Sequence, residues 1–364
     1  MTNAIFSPFS CRGLALENRI VMAPMTRSFS PKGVPGEDVA SYYERRAEAD
    51  VGLILTEGTT TDRLGAGNDP NVPMFHGDAP LKGWEHIRKR VHAVGGKIAP
   101  QLWHTGMMRK SGTGHYPDAV TDSPSGLTHK GKAVAQAPTE TEVDDMVMSF
   151  ARSAASAKAL GFDAIEIHGA HGYLIDEFFW GVMNQREDRY GGDLKDRATF
   201  AGDVIKECRK AVGGDMPIIL RFSQWKQQEY TARLAETPEA LGEFLQVFVD
   251  AGVDILHCSQ RRYQESEFEG SSLNLAGWAK KLTGLPTITV GSIGLNSDFI
   301  GAFAGQDSGV ASLDDVTERL ERGEFDLIAV GRALLQDPHW AKKVKEGRFD
   351  ELSDYDGKSL ATLY

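Results

Sequence analysis

Short and almost uninterrupted apolar runs recur along the chain and alternate with longer stretches of helical periodicity. Such runs are typical of parallel β-strands that are covered on both faces. Eight runs stand out, at 19–23, 52–56, 98–102, 164–167, 218–222, 255–258, 287–290 and 327–330. Helical patterns lie between several of them, at 81–94, 144–160, 197–212, 238–251 and 313–322. The pattern predicts an α/β fold, a single TIM (β/α)8 barrel rather than an open doubly wound sheet.

The spacing of the runs is uneven because residues 103–140 form a long insertion after the third strand, rich in Gly, Ser, Thr and Pro. A structureless loop of that length is uncommon inside a compact domain. We therefore expect the insertion to carry a hairpin or lid of its own, and we hypothesise that it covers the substrate. With no repeat and no linker in view, residues 1–364 are predicted to form one domain.

Composition narrows the class of partner. The formal net charge of −11 is spread along a chain with 25% charged and 41% hydrophobic residues. Nucleic acids and anionic membranes favour positive surfaces, so neither is expected as a partner. No apolar run approaches the roughly 18 residues of a membrane span, and residues 1–11 lack the features of a secretion signal. The three cysteines are scattered, at 11, 208 and 258, without a metal or cluster motif. We expect a soluble, cytoplasmic protein.

Each predicted strand is closed by a short group of residues that includes polar side chains or glycine. In a (β/α)8 barrel these strand ends gather at the C-terminal face, where active sites are built. A site is therefore predicted from the following residues, in chain order: Pro24, Met25 and Thr26; Glu57 and Gly58; Gln101, Trp103 and His104; His168, His171 and Tyr173; Arg221; Ser259 and Gln260; Gly291 and Ser292; Gly331 and Arg332.

The densest cluster of chemistry lies in the stretch 163–179, where an apolar strand runs into His168, His171 and Tyr173. Imidazole N–H groups can polarise a substrate oxygen, and a phenol can donate a proton. The stretch predicts chemistry at an oxygen and a neighbouring carbon. A metal pair is the competing interpretation, although its third ligand would have to come through the fold, from His104 or Glu57.

Glycine turns after the last two strands suit a phosphate. The segments Val-Gly-Ser-Ile-Gly (290–294) and Val-Gly-Arg-Ala-Leu (330–334) match the position of the phosphate site in many barrels. Backbone N–H groups can approach a phosphate closely there, and Arg332 can add a charge-assisted contact. Alternatively, the glycines merely form short turns.

Arg221 and Gln101 are the remaining strand-end residues with a specific chemistry. An arginine at a barrel mouth needs an anionic ligand or a carboxylate, and Glu166 is the candidate carboxylate. Gln101 offers a donor and an acceptor, as a residue that reads the edge of a heterocycle would. A buried amide satisfied by other protein groups is the alternative for Gln101.

With these residues assembled, nearly the whole chain resembles the Old Yellow Enzyme family of FMN-dependent NADH:flavin oxidoreductases, or ene-reductases. The segment His168-Gly169-Ala170-His171-Gly172-Tyr173-Leu174 is the most specific marker. The other markers are Asn18-Arg19-Ile20, Ala23-Pro24-Met25-Thr26, Gln101-Leu102-Trp103-His104, residues 184–192 (Asn-Gln-Arg-Glu-Asp-Arg-Tyr-Gly-Gly) and Gly331-Arg332.

The resemblance implies a TIM barrel that holds FMN noncovalently at its C-terminal face. Arg221 would stabilise the negative charge of the reduced flavin. Trp103 would join His168, His171 and Tyr173 in binding substrate. The implied cofactor-binding residues are Pro24, Met25, Thr26, Gly58, Gln101, His168, Arg221, Ser292, Gly331 and Arg332.

The resemblance also implies a mechanism. NADPH or NADH would reduce the flavin, and an electrophilic alkene, an α,β-unsaturated carbonyl or nitro compound, would then bind against it. His168 and His171 would hold the substrate oxygen, flavin N5 would deliver hydride, and Tyr173 would protonate the neighbouring carbon. The phenol of tyrosine, with an ordinary pKa of about 10, is protonated at neutral pH. The family further suggests a homodimer.

Two other functions stay open on the same scaffold. One is a flavin-dependent amine oxidase or demethylase, because one fold hosts several chemistries. The other is a phosphate-binding barrel lyase or aldolase, which would use a strand-end lysine. Lys97 precedes its predicted strand and Lys226 follows its predicted strand by several residues. Neither lysine is therefore expected at the site.

Overall fold

Eight parallel strands close into a barrel within residues 4–298, 301 and 308–364, the part of the chain that the computed structural model describes. An antiparallel hairpin of β1 (Phe9–Cys11) and β2 (Leu14–Leu16) precedes the barrel. The barrel strands are β3 (Ile20–Met22), β4 (Leu53–Thr60), β5 (Ile98–Trp103), β6 (Ile165–His171), β7 (Ile218–Lys226), β8 (Ile255–Ser259), β9 (Thr287–Val290) and β10 (Leu327–Val330). β10 pairs with both β9 and β3, which closes the sheet. The predicted (β/α)8 fold is confirmed.

Helices cover the outside of the barrel, and most follow a strand. Their bounds are α1 (Glu37–Glu48), α2 (Asp78–Ala93), α3 (Glu140–Leu160), α4 (Leu174–Phe179), α5 (Leu194–Arg197), α6 (Thr199–Val212), α7 (Pro238–Ala251), α8 (Leu275–Thr283), α9 (Asp314–Glu321), α10 (Arg332–Gln336) and α11 (Trp340–Lys345). Among the described residues, none of these helices is both long and apolar enough to cross a bilayer.

The boundaries of α3 have clear local causes. Thr139 and Glu142 form a capping box, in which each side chain bonds the backbone N–H of the other residue. The helix ends at Gly161, whose φ of 79° is left-handed and accessible to glycine at little strain. The same kind of glycine cap ends α7 and α8.

The N-terminal hairpin closes the end of the barrel opposite the C-terminal face. Phe9, Leu14 and Leu16 are buried and pack with the lowest inward-facing residues of the strands, such as Leu53 and Ile219. The alternation of apolar and polar residues in two three-residue strands is too short to stand out in the sequence. Because its buried apolar side chains pack against those inward-facing residues, the hairpin keeps water out of this end of the barrel.

The insertion between β5 and α3 contains little regular structure. A 3-10 turn spans Gly106–Met108, and an antiparallel bridge joins Leu127 to Ala133, in keeping with the expected hairpin. The buried guanidinium of Arg109 donates hydrogen bonds to the carbonyls of Tyr116 and Ala119. Hydrogen bonds from one arginine thus order much of a segment that lacks a core of its own.

We expect Leu14→Ala to lower the free energy of unfolding by about 2–5 kcal/mol, because it leaves a cavity under the barrel core. Urea denaturation of the variant and the parent protein measures the difference. Val120→Ala is the control, since that side chain is 79% exposed and its loss should change stability by less than about 0.5 kcal/mol. Equal effects of the two substitutions would show that the hairpin does not close the core.

Candidate active site

A cavity of about 600 Å³ opens at the C-terminal end of the barrel strands. Its volume lies within the range of small-molecule and cofactor sites. Nearly all of the predicted site residues line it. They are Pro24, Met25, Thr26, Gln101, Trp103, His168, His171, Tyr173, Arg221, Ser259, Gln260, Gly291, Ser292, Gly331 and Arg332. Glu57, Gly58 and His104 are not part of the lining.

Gly58 is the exception among the predicted cofactor-binding residues, because it is not part of the cavity lining. A Cβ atom at this position would lie 2.7 Å from a ring carbon of Trp103. The glycine lets the indole of Trp103 lie against strand β4. The structure therefore gives Gly58 a packing role, and it does not support the expected contact with a flavin.

One wall of the cavity is a cluster of aromatic and imidazole rings from β5, β6 and β7. The ring centroid of His168 is 5.2 Å from that of His171 and 5.0 Å from that of Tyr173. Trp103 meets Tyr173 edge-on at 4.9 Å, and Trp225 stacks on His171 at 4.6 Å. The two histidines and the tyrosine thus face one volume, as the sequence predicted, whereas Trp225 was not among the predicted site residues.

The backbone at the end of β6 is bent so that these rings turn inwards. His171 and Gly172 have φ values of 65° and 77°, and the pairing with β7 is irregular between Gly169 and His171. A left-handed histidine is uncommon, and such strain is often concentrated at functional sites. Ser223 supports the bend by accepting a hydrogen bond from the His171 N–H at 3.0 Å.

Both histidines of the wall are neutral at neutral pH. Burial lowers the pKa of His168 and of His171 well below the ordinary value, and the charge of Arg221 adds to that effect. The Ala170 N–H donates to His168 Nδ1 at 3.3 Å, which places the His168 proton on Nε2. His168 is consequently a neutral hydrogen-bond donor.

His171 has a protein partner that the sequence did not reveal. Its Nε2 lies 2.7 Å from the hydroxyl oxygen of Ser259 at the end of β8. Ser259 was predicted at the barrel mouth, but its pairing with His171 depends on the position of β8 relative to β6. Stacking on Trp225 and the bond to Ser259 together orient the His171 ring.

Arg221 is a buried cation that faces the cavity without a carboxylate partner. Among the described residues, no carboxylate oxygen lies within 4 Å of its guanidinium, and its Nε has no hydrogen-bond partner. The proposed ion pair with Glu166 is not formed, because the Glu166 carboxylate bonds Gln101 at 2.7 Å and His257 at 2.6 Å. Burial lowers the pKa of Arg221, but a guanidinium keeps its charge. A bound group with negative charge is therefore strongly favoured here.

The bond to Glu166 also sets the orientation of Gln101. Because the amide nitrogen of Gln101 donates to Glu166, its carbonyl oxygen is left as an acceptor for a ligand N–H. A flavin ring offers one such N–H group beside its carbonyl oxygens. Gln101, as an acceptor, and Arg221, as a donor, therefore match the edge of a heterocyclic ring that carries both an N–H group and carbonyl oxygens.

The other end of the cavity suits a phosphate. Arg332 donates to Ser308 Oγ at 3.0 Å and to the carbonyl oxygens of Ser297 and Asp298, and within the described ranges no carboxylate lies within 4 Å of it. Gly291 has a φ of 141°, and a Cβ atom there would lie 2.7 Å from the carbonyl oxygen of Gln260. The strand ends of β9 and β10 thus form a narrow, positively charged corner.

The residues offered as a third metal ligand are engaged elsewhere. His104 bonds Asp122 at 2.9 Å, and Glu57 accepts the backbone N–H groups of Arg27 and Ser28. In the part of the chain that the structure describes, no group of three histidine, cysteine or acidic side chains is arranged to hold a metal ion.

The structure differs from the sequence predictions for the insertion after β5 and for Lys226. The described cavity lining includes no residue from 104–140, so it does not support the insertion as a substrate lid; the C-terminal residues Tyr355, Gly357 and Leu360 line the cavity instead. Lys226 was placed beyond its strand, but it is the last residue of β7 and is fully buried in an ion pair with Asp176.

Similarity to known proteins agrees with this architecture. Residues 4–351 match the family described as NADH:flavin oxidoreductase / NADH oxidase. Over 96% of its length the chain is 32% identical to the NADH oxidase of Thermoanaerobacter brockii, but it spans only about half of that relative, 52%. It is 30% identical to the NADPH dehydrogenase of Bacillus velezensis, and that match covers 94% of both chains.

Solved structures give the same result. Morphinone reductase in complex with tetrahydroNAD superposes with a TM-score of 0.81 at 25% identity, over 98% of this chain and 93% of that one. The Old Yellow Enzyme homologue from Zymomonas mobilis superposes with a TM-score of 0.79 at 26% identity, over 98% and 96%. The fold and the matches define a barrel of the flavin oxidoreductase class. The chain belongs to the NADH:flavin oxidoreductase, or Old Yellow Enzyme, family.

Glu57 provides a prediction about pH. Burial raises its pKa from 4.5 to about 7, although the two backbone N–H groups act in the opposite direction. The folded state therefore holds an extra proton between about pH 4.5 and 7, and stability from this group falls as pH rises through that window. Glu57→Gln keeps the acceptor oxygen and removes the titration.

We expect the free energy of unfolding of Glu57→Gln, relative to that of the parent protein, to rise by on the order of 3 kcal/mol between pH 5 and pH 8. Urea-unfolding midpoints at the two pH values measure this change. The matched control is Glu48→Gln, at an exposed position of α1, which should show no such dependence. A Glu57→Gln difference that is the same at both pH values would refute the explanation.

Proposed function

We propose that this protein is an FMN-dependent NAD(P)H oxidoreductase that reduces the activated C=C bond of α,β-unsaturated carbonyl or nitro compounds. Residues 1–364 would act as a single FMN-binding domain. The observation that carries the proposal is Arg221, a buried cation without a carboxylate partner, placed beside a neutral histidine pair and a tyrosine in one cavity. Membership of a flavin oxidoreductase family supports it.

The residues present fit FMN. Arg221 and Gln101 would hold the pyrimidine edge of the flavin, where the reduced ring carries negative charge. Ser292, Gly331 and Arg332 would hold the phosphate, and the segment Pro24, Met25 and Thr26 would lie along the ring. Bound FMN supplies the hydride chemistry, with NADPH or NADH as the reductant, in keeping with the names of the relatives and the tetrahydroNAD in morphinone reductase.

The chain's own groups would act on the substrate. His168 donates from Nε2 to the carbonyl or nitro oxygen and draws electron density away from the alkene. His171 joins it by exchanging its Ser259 partner for the same oxygen. The Tyr173 hydroxyl donates its proton to the carbon next to the polarised group. Trp103 packs edge-on against Tyr173 and holds the phenol in place.

The lyase alternative receives no support from the lysine at this end of the barrel. Lys226 is fully buried and bonded to Asp176 at 2.5 Å, and it is not among the cavity-lining residues. A Schiff-base lysine must reach its substrate. The remaining question between alkene reduction and amine oxidation concerns the direction of electron flow.

Anaerobic absorption spectroscopy of the purified protein tests the proposed function. We expect FMN to bind, NADPH or NADH to bleach its absorption, and an enone or nitroalkene to restore it. Failure to bind FMN would refute the proposal. Bleaching of oxidised flavin by an amine, without reoxidation by any alkene, would favour the amine oxidase.

The charge of Arg221 predicts a loss of FMN affinity on substitution. Arg221→Gln should weaken FMN binding about ten- to hundredfold, because it removes a hydrogen bond from a charged donor, and should make the two-electron potential more negative. Fluorescence titration with FMN and a redox titration measure the two effects. Arg152→Gln, a surface control, should change neither, and unchanged affinity in Arg221→Gln would contradict the assignment.

The role of Tyr173 predicts a split between the two half-reactions. Tyr173→Phe should slow alkene-driven reoxidation of the flavin by about 10²- to 10⁴-fold, the usual contribution of a general acid. The rate of flavin reduction by NADPH or NADH should stay within about threefold of the parent rate, because this step needs no proton from the phenol. Stopped-flow absorption under anaerobic conditions measures both rates. Equal slowing of both would indicate damage to flavin binding instead.

A further inference from the structure

Lys226, the last residue of β7, and the two residues after it contact the turn 171–173 that begins at the end of β6. Lys226 pairs in register with His171. The side-chain amide of Gln228 donates to the carbonyl oxygen of Gly172 at 2.8 Å. Between them, the side-chain amide of Gln227 donates to the hydroxyl oxygen of Tyr173 at 3.1 Å. The segment 226–228 thus contacts all three residues of the turn 171–173, although not in sequence order.

A buried ion pair anchors this segment. Lys226 and Asp176 are both fully buried, and their charged atoms are 2.5 Å apart. The other carboxylate oxygen of Asp176 accepts the Gly172 N–H at 2.7 Å. Removing one partner from a buried pair is strongly destabilising, because the remaining charge stays buried. The backbone on either side of Gln227 is therefore held against the turn that carries Tyr173.

The contact between Gln227 and Tyr173 lies inside the cavity, since both residues line it. The amide N–H is a donor only, so the phenol oxygen accepts this bond and the phenol proton remains available for another acceptor. The charged and titratable groups that face the phenol from neighbouring strands are the neutral His168 and the cation Arg221. Gln227 is the neighbour that bonds the reacting oxygen directly.

We propose that Gln227 is a further catalytic residue, whose amide N–H stabilises the phenolate that Tyr173 becomes when it donates its proton. This role rests on the proposed function. In the step, the O–H bond of Tyr173 breaks and its electron pair stays on the phenol oxygen. A C–H bond forms at the substrate carbon from the electron pair of the enolate or nitronate that hydride addition to the alkene leaves, and the reduced nicotinamide is the ultimate source of those two electrons. Solvent then returns a proton to the phenolate.

The energetic reason is the difference between the two forms of the phenol. A hydrogen bond to a charged acceptor is roughly twice as strong as one to a neutral acceptor. The contact therefore strengthens as negative charge develops on the oxygen, and only such a strengthening lowers the barrier. Burial raises the pKa of Tyr173, while the bond from Gln227 and the charge of Arg221 lower it. Without Gln227, the phenol should be a weaker acid.

Gln227→Met tests the role, because methionine fills a similar volume and has no N–H donor. We expect enone-driven reoxidation of the flavin to slow about ten- to hundredfold, because a hydrogen bond to a charged group contributes a free energy of that size. The rates of flavin reduction by NADPH and of reoxidation by ferricyanide, which needs no proton at carbon, should stay within about twofold of the parent rates. The control is Gln246→Met, whose parent side chain is exposed and bonds Asp250; it should change none of these rates.

A double substitution separates this role from simple packing. In a Tyr173→Phe background, Gln227→Met should cause no further slowing, because there is no phenolate to stabilise. Gln227→Glu keeps the shape, replaces the donor with a carboxylate and should slow the same step at least as much. Slowing by Gln227→Met that persists without Tyr173, or an enone rate equal to that of the parent, would overturn the proposal.

A measurement without turnover checks the contact itself. Tyrosine residues labelled with 3-fluorotyrosine can be titrated by ¹⁹F NMR in the FMN-bound protein, and Tyr173→Phe assigns the resonance. Gln227→Met should raise the pKa of the labelled Tyr173 by about one unit, the equivalent of a tenfold effect, and Gln246→Met should leave it unchanged. An unchanged pKa in Gln227→Met would overturn the role of Gln227 alone. A parent protein whose flavin no enone or nitroalkene reoxidises would instead overturn the proposed function.

Discussion

The buried charge of Arg221 is the constraint on which the barrel mouth depends. A guanidinium away from water is unfavourable unless another charge or dipole compensates it. The buried carboxylate of Glu166 is committed to Gln101 and His257, so it acts on Arg221 only through space. Compensation must then come from the cavity side. A ligand that places negative charge against Arg221 gains binding energy there, and that gain grows as the ligand becomes more reduced.

The same charge helps to determine the protonation state of the two histidines in the cavity. Arg221 and burial both oppose protonation of His168 and His171, which leaves two neutral imidazoles. Neutral rings polarise an oxygen by hydrogen bonding and do not neutralise a developing enolate outright. On the proposed function, proton transfer would therefore be the role of Tyr173, two residues after His171 in the same turn. The cation, the neutral donors and the acid form one electrostatic unit, although they come from two strands.

Much of this arrangement could be predicted because a parallel barrel collects its strand ends. The positions of Arg221, His168 and Ser292 follow from eight apolar runs and from the polar residues at or just beyond the end of each. Gly58 lies outside the cavity lining and makes room for the Trp103 indole, and nothing local in the sequence distinguishes such a glycine from one beside a ligand. Lys226 was placed outside its strand because the polar residues Ser223 and Gln224 ended the apolar run before β7 ended. Pairings across strands, such as His171 with Ser259, depend on register, which one sequence does not reveal.

The extension of β7 beyond its apolar run also orders the side chains around the turn that carries Tyr173. Polar side chains at the end of a parallel strand lie beside the turn that follows the neighbouring strand. Trp225 therefore stacks on His171, and Gln227 bonds Tyr173, while the ion pair of Lys226 is buried behind them. The strand core holds the cation that would serve the cofactor, and the strand end orients the groups that would serve the substrate. On the proposed function, a change at Trp225 or Gln227 would alter the groups that face the substrate and would leave Arg221, the residue that would contact the cofactor, in place.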